Sequence, residues 1–236
     1  MKSNDVFEAL NKFFLDIIGN IIPGMILILG FWLILNQPYT IHNISIIPPK
    51  DTSSWIFLII ASYVFGYGVL SVGEILILPF IEFFLRILKQ LGFKAWKTRD
   101  QIKEDAKNRI DYKLAINQIG KFYNFPESGM EQEFGLWRSL ALAITQENNA
   151  LVYRFTFISL LNLGVATALL IIDFSRILLK AITRNFATMD LVWFLIVAFV
   201  SLLYLNKYYE FHRRSMEVPF GLALVKMHSY IGSKTE

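Results

Sequence analysis

Residues 55–73 read WIFLIIASYVFGYGVLSVG, a run without one charged side chain. At a rise of 1.5 Å per residue, a helix of about 20 apolar residues crosses the hydrocarbon core of a bilayer, which is about 30 Å thick. The run has that length and that composition. It therefore predicts a membrane-spanning helix, and the rest of the chain is best interpreted around it.

Three further runs have the same character. Residues 17–35, 155–172 and 191–206 are also uncharged. A helix buried in a soluble bundle would carry a polar stripe at 3.6-residue spacing, whereas residues 191–205 offer only Ser201. We therefore expect an all-α membrane protein with four transmembrane helices, at about 13–35, 55–81, 155–173 and 190–207, and a helical cytoplasmic insert between the second and third.

These spans divide the chain into four parts. Residues 1–85 form an N-terminal transmembrane hairpin, 86–150 a cytoplasmic helical insert, 151–209 a C-terminal transmembrane hairpin and 210–236 a cytoplasmic tail. Glu82 to Lys97 should continue the second span out of the membrane, with Phe84, Leu88 and Leu91 on one face.

Within the insert, residues 99–119 are expected to form one helix whose apolar stripe is Ile102, Ala106, Ile110 and Leu114, with Gly120 ending it. Another helix, from about Met130, should run through Trp137 into the third span. Such an insert is either a small hairpin packed on the membrane face or a docking site for a partner protein, and the two interpretations are compatible because a hairpin of this size buries little core alone.

Composition narrows the range of functions. Of 236 residues, 55% are hydrophobic and 21 are phenylalanine, and the net charge is +4. The basic residues lie close to apolar runs and form no separate basic stripe, so anionic lipid is the expected partner and nucleic acid is not. Cysteine is absent, which excludes disulfides, thiolate metal sites and a cysteine nucleophile.

No pattern indicates an enzyme. His42, His212 and His228 are far apart in the sequence, and the chain contains no nucleophile-elbow, zinc-protease or phosphate-loop motif. We expect no catalytic residue, no metal site and no cofactor.

Orientation follows from the lysines and arginines near the span ends, which favour the cytoplasm. The cations on this side are Arg86, Lys89, Lys94, Lys97, Arg154, Lys207, Arg213 and Arg214. Both termini are therefore predicted to be cytoplasmic. The second outer loop, residues 173–190, conflicts with this because it carries Arg176, Lys180 and Arg184, and we interpret it as an interfacial helix.

Polar and small residues inside the spans are the candidate site residues. They are Asp16, Asn20, Pro23, Ser62, Gly66, Gly73, Glu74 and Asn162. One interpretation is helix packing, in which Asp16 and Glu74 pair with Arg154, Lys207 or Arg86 and the stripe of Ser62, Gly66 and Gly73 permits self-association. The other is a cation path lined by Asp16, Asn20, Asn162 and Glu74, which one chain could complete only as an oligomer.

A second set of residues consists of cations that would contact lipid headgroups. They are Arg86, Lys89, Lys207, Arg213 and Arg214.

The segments around Ile21-Ile22-Pro23-Gly24, which follow Asp16, and Tyr63-Val64-Phe65-Gly66-Tyr67-Gly68 resemble a group of uncharacterised four-pass bacterial membrane proteins. Some of these are similar to membrane subunits of anti-phage defence systems of the Kiwa type. The resemblance covers mainly the first two spans. It implies an oligomeric inner-membrane subunit that couples a cytoplasmic partner protein to the bilayer. The alternative is an ion channel or small-solute transporter working as a multimer.

Overall fold

A computed structural model describes residues 3–36, 51–92, 97–123, 133–145, 149–184 and 186–232. All regular structure in these ranges is helical: α1 (Ser3–Asn36), α2 (Thr52–Val72), a π-helix (Gly73–Ile77), α3 (Leu78–Gln90), α4 (Arg99–Asn108), α5 (Ile110–Phe122), α6 (Phe134–Ile144), α7 (Ala150–Ile182) and α8 (Thr188–Gly232). Within the described residues, four stretches are long and apolar enough to cross a membrane: Phe13–Leu35, Thr52–Gln90, Ala150–Ile182 and Thr188–His228. The predicted fold class is confirmed.

The chain forms two compact units. Met1–Ile87 and Phe157–Tyr208 make up the first, here called the spanning unit, and Leu88–Thr156 with Tyr209–Glu236 make up the second, here called the insert unit. The C-terminal segment that the sequence presented as a separate tail thus shares one unit with the insert.

Helices α1 and α2 of the spanning unit approach each other closely. A Cβ atom added at Gly24 would overlap the carbonyl oxygen of Ser62, and one added at Gly66 would overlap the carbonyl oxygen of Asn20. Only glycine allows this backbone approach, which is the usual basis of helix packing in lipid. A small apolar core of Leu27, Val69 and Ala168 lies alongside.

Helix α2 begins at a capped end and passes into α3 through a wider turn. Asp51 is its N-cap and accepts a hydrogen bond from the Ser54 N–H at 3.2 Å. The π-helix at Gly73–Ile77 precedes Pro79, which has no N–H to offer the carbonyl of Ile75. Gly92, with φ 83°, follows the end of α3. The predicted continuation of the second span is confirmed as far as Gln90.

The prediction of one helix over residues 99–119 is wrong. Arg109 lies in an extended conformation between α4 and α5, and this break rotates α5 about its axis. Ile102 and Ala106 are buried as predicted, but Ile110 and Leu114 are exposed. Gly120 does not end the helix, since it is buried inside α5.

The third helix of the insert does not run continuously into the third span, contrary to prediction. Helix α6 ends at Ile144, and the buried Thr145 hydroxyl donates to the Oδ1 atom of Asn149 at 2.8 Å. Asn149 Nδ2 donates back to the carbonyl of Leu142 at 2.8 Å. These bonds connect the end of α6 with Asn149, which directly precedes α7. The predicted start near Met130 lies outside the described residues.

The separate interfacial helix predicted for residues 173–190 is also wrong, because α7 continues without a break through Asp173 to Ile182. Arg184 adopts a left-handed backbone conformation, φ 55°, just past the helix end. That conformation is typical of a helix terminus. The connection to α8 is therefore only a few residues long.

The insert unit has an aromatic core. Tyr112, Phe134 and Phe220 contact one another with ring centroids 4.7 to 5.5 Å apart, and Trp137 is almost fully buried in the same cluster. Phe220 comes from α8, together with the buried Ala223 and Met227. Without this segment the core would lack one side, which explains how so short an insert folds.

Candidate functional site: the outer face of helix α5

The polar residues of the spans mostly bond to their own helices. Ser62 Oγ donates to the carbonyl of Leu58 at 2.7 Å, and Asn162 Nδ2 donates to that of Ile158 at 2.6 Å. Asn20 Nδ2 donates to the carbonyl of Asp16 at 2.9 Å. A side chain folded back on the preceding turn does not line a path for ions, so these bonds favour the packing interpretation.

The two carboxylates of the proposed cation path are both exposed. Asn20 is buried and Asn162 half-buried. The four residues proposed to line one path thus differ in burial.

The small-residue stripe is occupied within the chain. Ser62 and Gly66 pack on α1, and a Cβ atom at Gly73 would lie 2.6 Å from Thr167 Oγ1 of α7. Pro23 is fully buried, and its ring would overlap a Cβ atom at Gly164 of α7. The self-association argued from this stripe therefore loses its basis, because the stripe faces partners in the same molecule.

An ionic cluster at the α7–α8 connection was not recognised as such from sequence. The buried Asp190 carboxylate pairs with Arg176 at 2.5 Å and with Lys180 at 3.0 Å. It also accepts the N–H of Ala187 at 3.0 Å, a capping interaction at the start of α8. Two of the three cations that conflicted with the predicted orientation are thus used structurally.

Some of the cations that were expected to contact lipid headgroups have partners within the protein. Lys89 donates to Gln101 at 2.6 Å. Arg213 lies 3.9 Å from Glu217, and Arg214 lies 2.7 Å from Glu210. Arg86 and Lys207 are exposed.

Arg214 has a second type of contact. Its guanidinium lies 5.9 Å and 5.5 Å from the ring centres of Phe155 and Phe211. Such cation–π contacts hold the side chain against the insert unit, so Arg214 is at least partly structural.

Helix α5 carries the most distinctive open surface of the insert unit. Ile110 is 74% and Leu114 50% exposed. Lys113, Asn117 and Lys121 are exposed on the same helix. We call these five residues the α5 face. The opposite side of the helix, with Tyr112, Ala115 and Ile119, is buried in the aromatic core.

The break at Arg109 sets the direction of the α5 face. The Arg109 guanidinium contacts Asp111 and Glu217, each at 3.0 Å. Those two carboxylates raise the pKa of Arg109 above its usual value, Asp111 making the larger contribution. Because Glu217 belongs to α8, the contact ties the start of α5 to the C-terminal segment.

The α5 face is electrostatically positive. Lys113 and Lys121 form no ion pair with any described residue. Burial raises the pKa of the Tyr112 hydroxyl behind it, so this ring stays neutral and adds no negative charge. An apolar pair flanked by cations is suited to an acidic amphipathic surface.

Sequence reasoning named Ile110 and Leu114 but assigned them to the core. The available signal was a second apolar series, Tyr112, Ala115 and Ile119, which has the i, i+3, i+7 spacing of a buried face. Two apolar series on one stretch indicate that the buried side of the helix changes along it. The extended backbone at Arg109 is where this change occurs.

No group of three or more potential metal-ligating side chains occurs among the residues that the structure describes. The chain matches no family model, no curated protein and no solved structure.

Proposed function

We propose that this chain is an inner-membrane subunit whose insert unit binds a cytoplasmic partner protein through the α5 face. The observation that carries the proposal is the exposure of Ile110 and Leu114 beside the exposed Lys113 and Lys121. The insert unit already has its own aromatic core, so these apolar residues are not needed to complete it. Exposed apolar groups with charge on one side are common in protein interfaces.

The partner expected for this face is acidic. Two exposed lysines attract carboxylates during encounter, and the apolar pair then buries surface against the partner. A Leu114→Glu substitution adds a negative charge to the α5 face and removes an apolar contact without touching the core, whereas Glu104→Gln on the exposed side of α4 changes charge elsewhere on the unit.

Photocrosslinking in the native host tests the partner. A photoreactive residue at Ile110 should give one discrete protein adduct that Leu114→Glu abolishes and Glu104→Gln leaves intact. The same residue at Phe57, which is 74% exposed on a span, serves as the control. An adduct that survives Leu114→Glu, or none at all, contradicts the proposal.

The orientation is part of the proposal and rests on the lysines and arginines near the span ends. Alkaline phosphatase fused after Gly92 should be inactive and fused after Asn43 active. Activity after Gly92 would place the insert unit outside the cytoplasm and end the argument for a cytoplasmic partner.

The setting that we propose is defence against phage, on the resemblance of the first two spans to Kiwa-type membrane subunits. Plating of phage on a strain that carries the chain with its neighbouring genes tests this setting. Protection should be lost in the Leu114→Glu strain. Equal plating with and without the wild-type chain would contradict it.

Oligomerisation, which the same resemblance implies, must use a surface other than Ser62, Gly66 and Gly73. Native mass measurement in mild detergent should show more than one copy. A monomer would remove this part of the proposal and leave the docking part standing.

A further inference from the structure

Helix α3 carries an exposed aromatic face next to the membrane-spanning part of the chain. Phe80, Phe83 and Phe84 are all about half exposed or more, at the i, i+3, i+4 positions that share one side of a helix. We call them the phenylalanine face. Rings 80 and 84 lie 4.9 Å apart and rings 83 and 84 lie 6.2 Å apart, so the face is a preformed apolar wedge.

The opposite side of α3 is buried. Leu78, Glu82 and Leu85 point into the structure, so the phenylalanine face is the side left open. It is continuous with the apolar surface of the preceding helix through the exposed Ile75 and Leu76. Lipid contacts the apolar surface of the span. Because the phenylalanine face continues that surface, we expect lipid to contact it too.

Lengths along the helix place this face in the bilayer. We take Trp55 as the outer interfacial aromatic, whose ring lies at the level of the outer headgroups. The phenylalanine face lies roughly 38 to 44 Å from Trp55. On a helix tilted by about 20°, this length crosses about 35 to 41 Å of a bilayer whose full thickness is about 40–45 Å, which is the zone between the acyl chains and the inner headgroups.

Charge identifies the lipid. Glu82 is 7% exposed, so the exposed charges on α3 are the cations Arg86 and Lys89. Arg86 follows Phe84 by two residues, which puts it at headgroup depth on this scale. Arg86 follows Phe83 by three residues and flanks the phenylalanine face, so anionic headgroups match the charge beside it.

We propose that the phenylalanine face inserts into the inner leaflet at the boundary between acyl chains and headgroups, and that Arg86 holds it there through anionic phospholipid. The helix is therefore an interfacial anchor of the kind formed by aromatic and basic residues at membrane surfaces. This role is independent of any protein partner of the α5 face.

The chain has no cysteine, so a single introduced cysteine can be spin-labelled without background. Phe84→Cys and Phe83→Cys report on the proposed anchor, Phe57→Cys on a lipid-facing span and Asn117→Cys on an exposed position of the insert unit. The full chain is reconstituted in vesicles of phosphatidylcholine alone or with phosphatidylglycerol. Collision with oxygen and with a water-soluble nickel complex then gives the depth of each label.

Labels at 83 and 84 should be accessible to oxygen and lie near the phosphate level, between the depths at 57 and 117. Nickel accessibility equal to that at 117 overturns the proposal. Shielding from both reagents with dipolar broadening between copies also overturns it, because it would show that another chain covers the face.

A test variant and a matched control variant measure the preference for anionic lipid. Phosphatidylglycerol should deepen the label at 84, Arg86→Gln should abolish that deepening, and Lys103→Gln on α4 should leave it intact. A deepening that persists in Arg86→Gln contradicts the role given to this cation. An unchanged spectrum at position 57 confirms that each variant is folded.

Discussion

The spanning unit and the insert unit are stabilised in different ways. Where α1 meets α2, the contact is made by glycines at positions 24 and 66 that lie against backbone carbonyls. In the insert unit the contact is made by Trp137, Phe220 and their aromatic neighbours. Lipid is as apolar as leucine and provides no drive to bury side chains, so close backbone approach must hold helices together there. Water does provide that drive, and large rings exploit it.

The largest effect should come from adding atoms between the spans. Gly66→Leu places a side chain where the carbonyl of Asn20 lies, so α1 and α2 must separate, and we expect a loss above about 3 kcal/mol because backbone cannot move aside as a side chain can. Steric trapping in bicelles measures the change. Gly68→Leu on the same helix has no atom within 4 Å of its new Cβ and should be nearly neutral. Equal effects at 66 and 68 would refute the packing described here.

Removing the Trp137 ring should destabilise the insert unit alone. Trp137→Ala is expected to cost about 3–5 kcal/mol through the lost burial and the cavity left behind. Hydrogen exchange should rise in α4–α6 and the C-terminal part of α8, and stay unchanged in α1 and α2. The neighbouring Leu136, which is 43% exposed, provides the control as Leu136→Ala, for which little change is expected. Exchange that rises throughout the chain would mean that the two units unfold together.

A smaller effect concerns a missing backbone hydrogen bond. Pro219 inside α8 cannot donate to the carbonyl of Ser215, and Arg138 donates to that carbonyl through both Nε and Nη2 at 3.4 Å. Burial lowers the pKa of this guanidinium, but an arginine stays charged at neutral pH.

We expect Arg138→Met to cost about 1–2 kcal/mol. In a Pro219→Ala background the cost should fall, because the alanine N–H takes over the carbonyl. A double-mutant cycle measures the coupling. Additive costs would show that the arginine does not compensate for the proline.

The smallest effect is at the exposed start of α2. Hydrogen bonds from Ser54 and Ser53 lower the pKa of Asp51. A carboxyl whose pKa is lower in the folded state stabilises that state above its ordinary pKa, and the contribution disappears as the pH falls through the lowered value. A spin label at position 56 should therefore become more mobile between pH 5 and pH 3. Asp51→Asn keeps a capping oxygen and should remove the pH dependence; persistence of it would exclude Asp51 as the cause.

The spans were predictable because lipid imposes a length and excludes charge, and both are visible in runs such as residues 55–73. The glycine contact was half predictable. Sequence identified Ser62 and Gly66 as a close-packing stripe, but it could not tell that α1 of the same chain, and not a second copy, fills it.

The insert was less predictable because the conformation of one residue decides which side of α5 is buried. Ile110 and Leu114 continue the stripe of Ile102 and Ala106 at helical spacing, and only the extended backbone at Arg109 turns them outward. The contact between Arg109 and Glu217 joins residues 108 positions apart, which no local pattern reveals. The contribution of Phe220 to the insert core was missed for the same reason.

The π-helix at Gly73–Ile77 has a consequence for how such a chain can change by insertion and deletion. A wider turn accommodates one more residue than an α-helical turn would, and one residue corresponds to a rotation of about 100°. Deleting a single residue there would restore an ordinary α-helical turn and leave both the glycine contact and the direction of Phe80, Phe83 and Phe84 unchanged. A one-residue deletion elsewhere between Gly66 and α3 would instead turn that face by about 100°, so the π-helix marks the place where this helix tolerates a change of length.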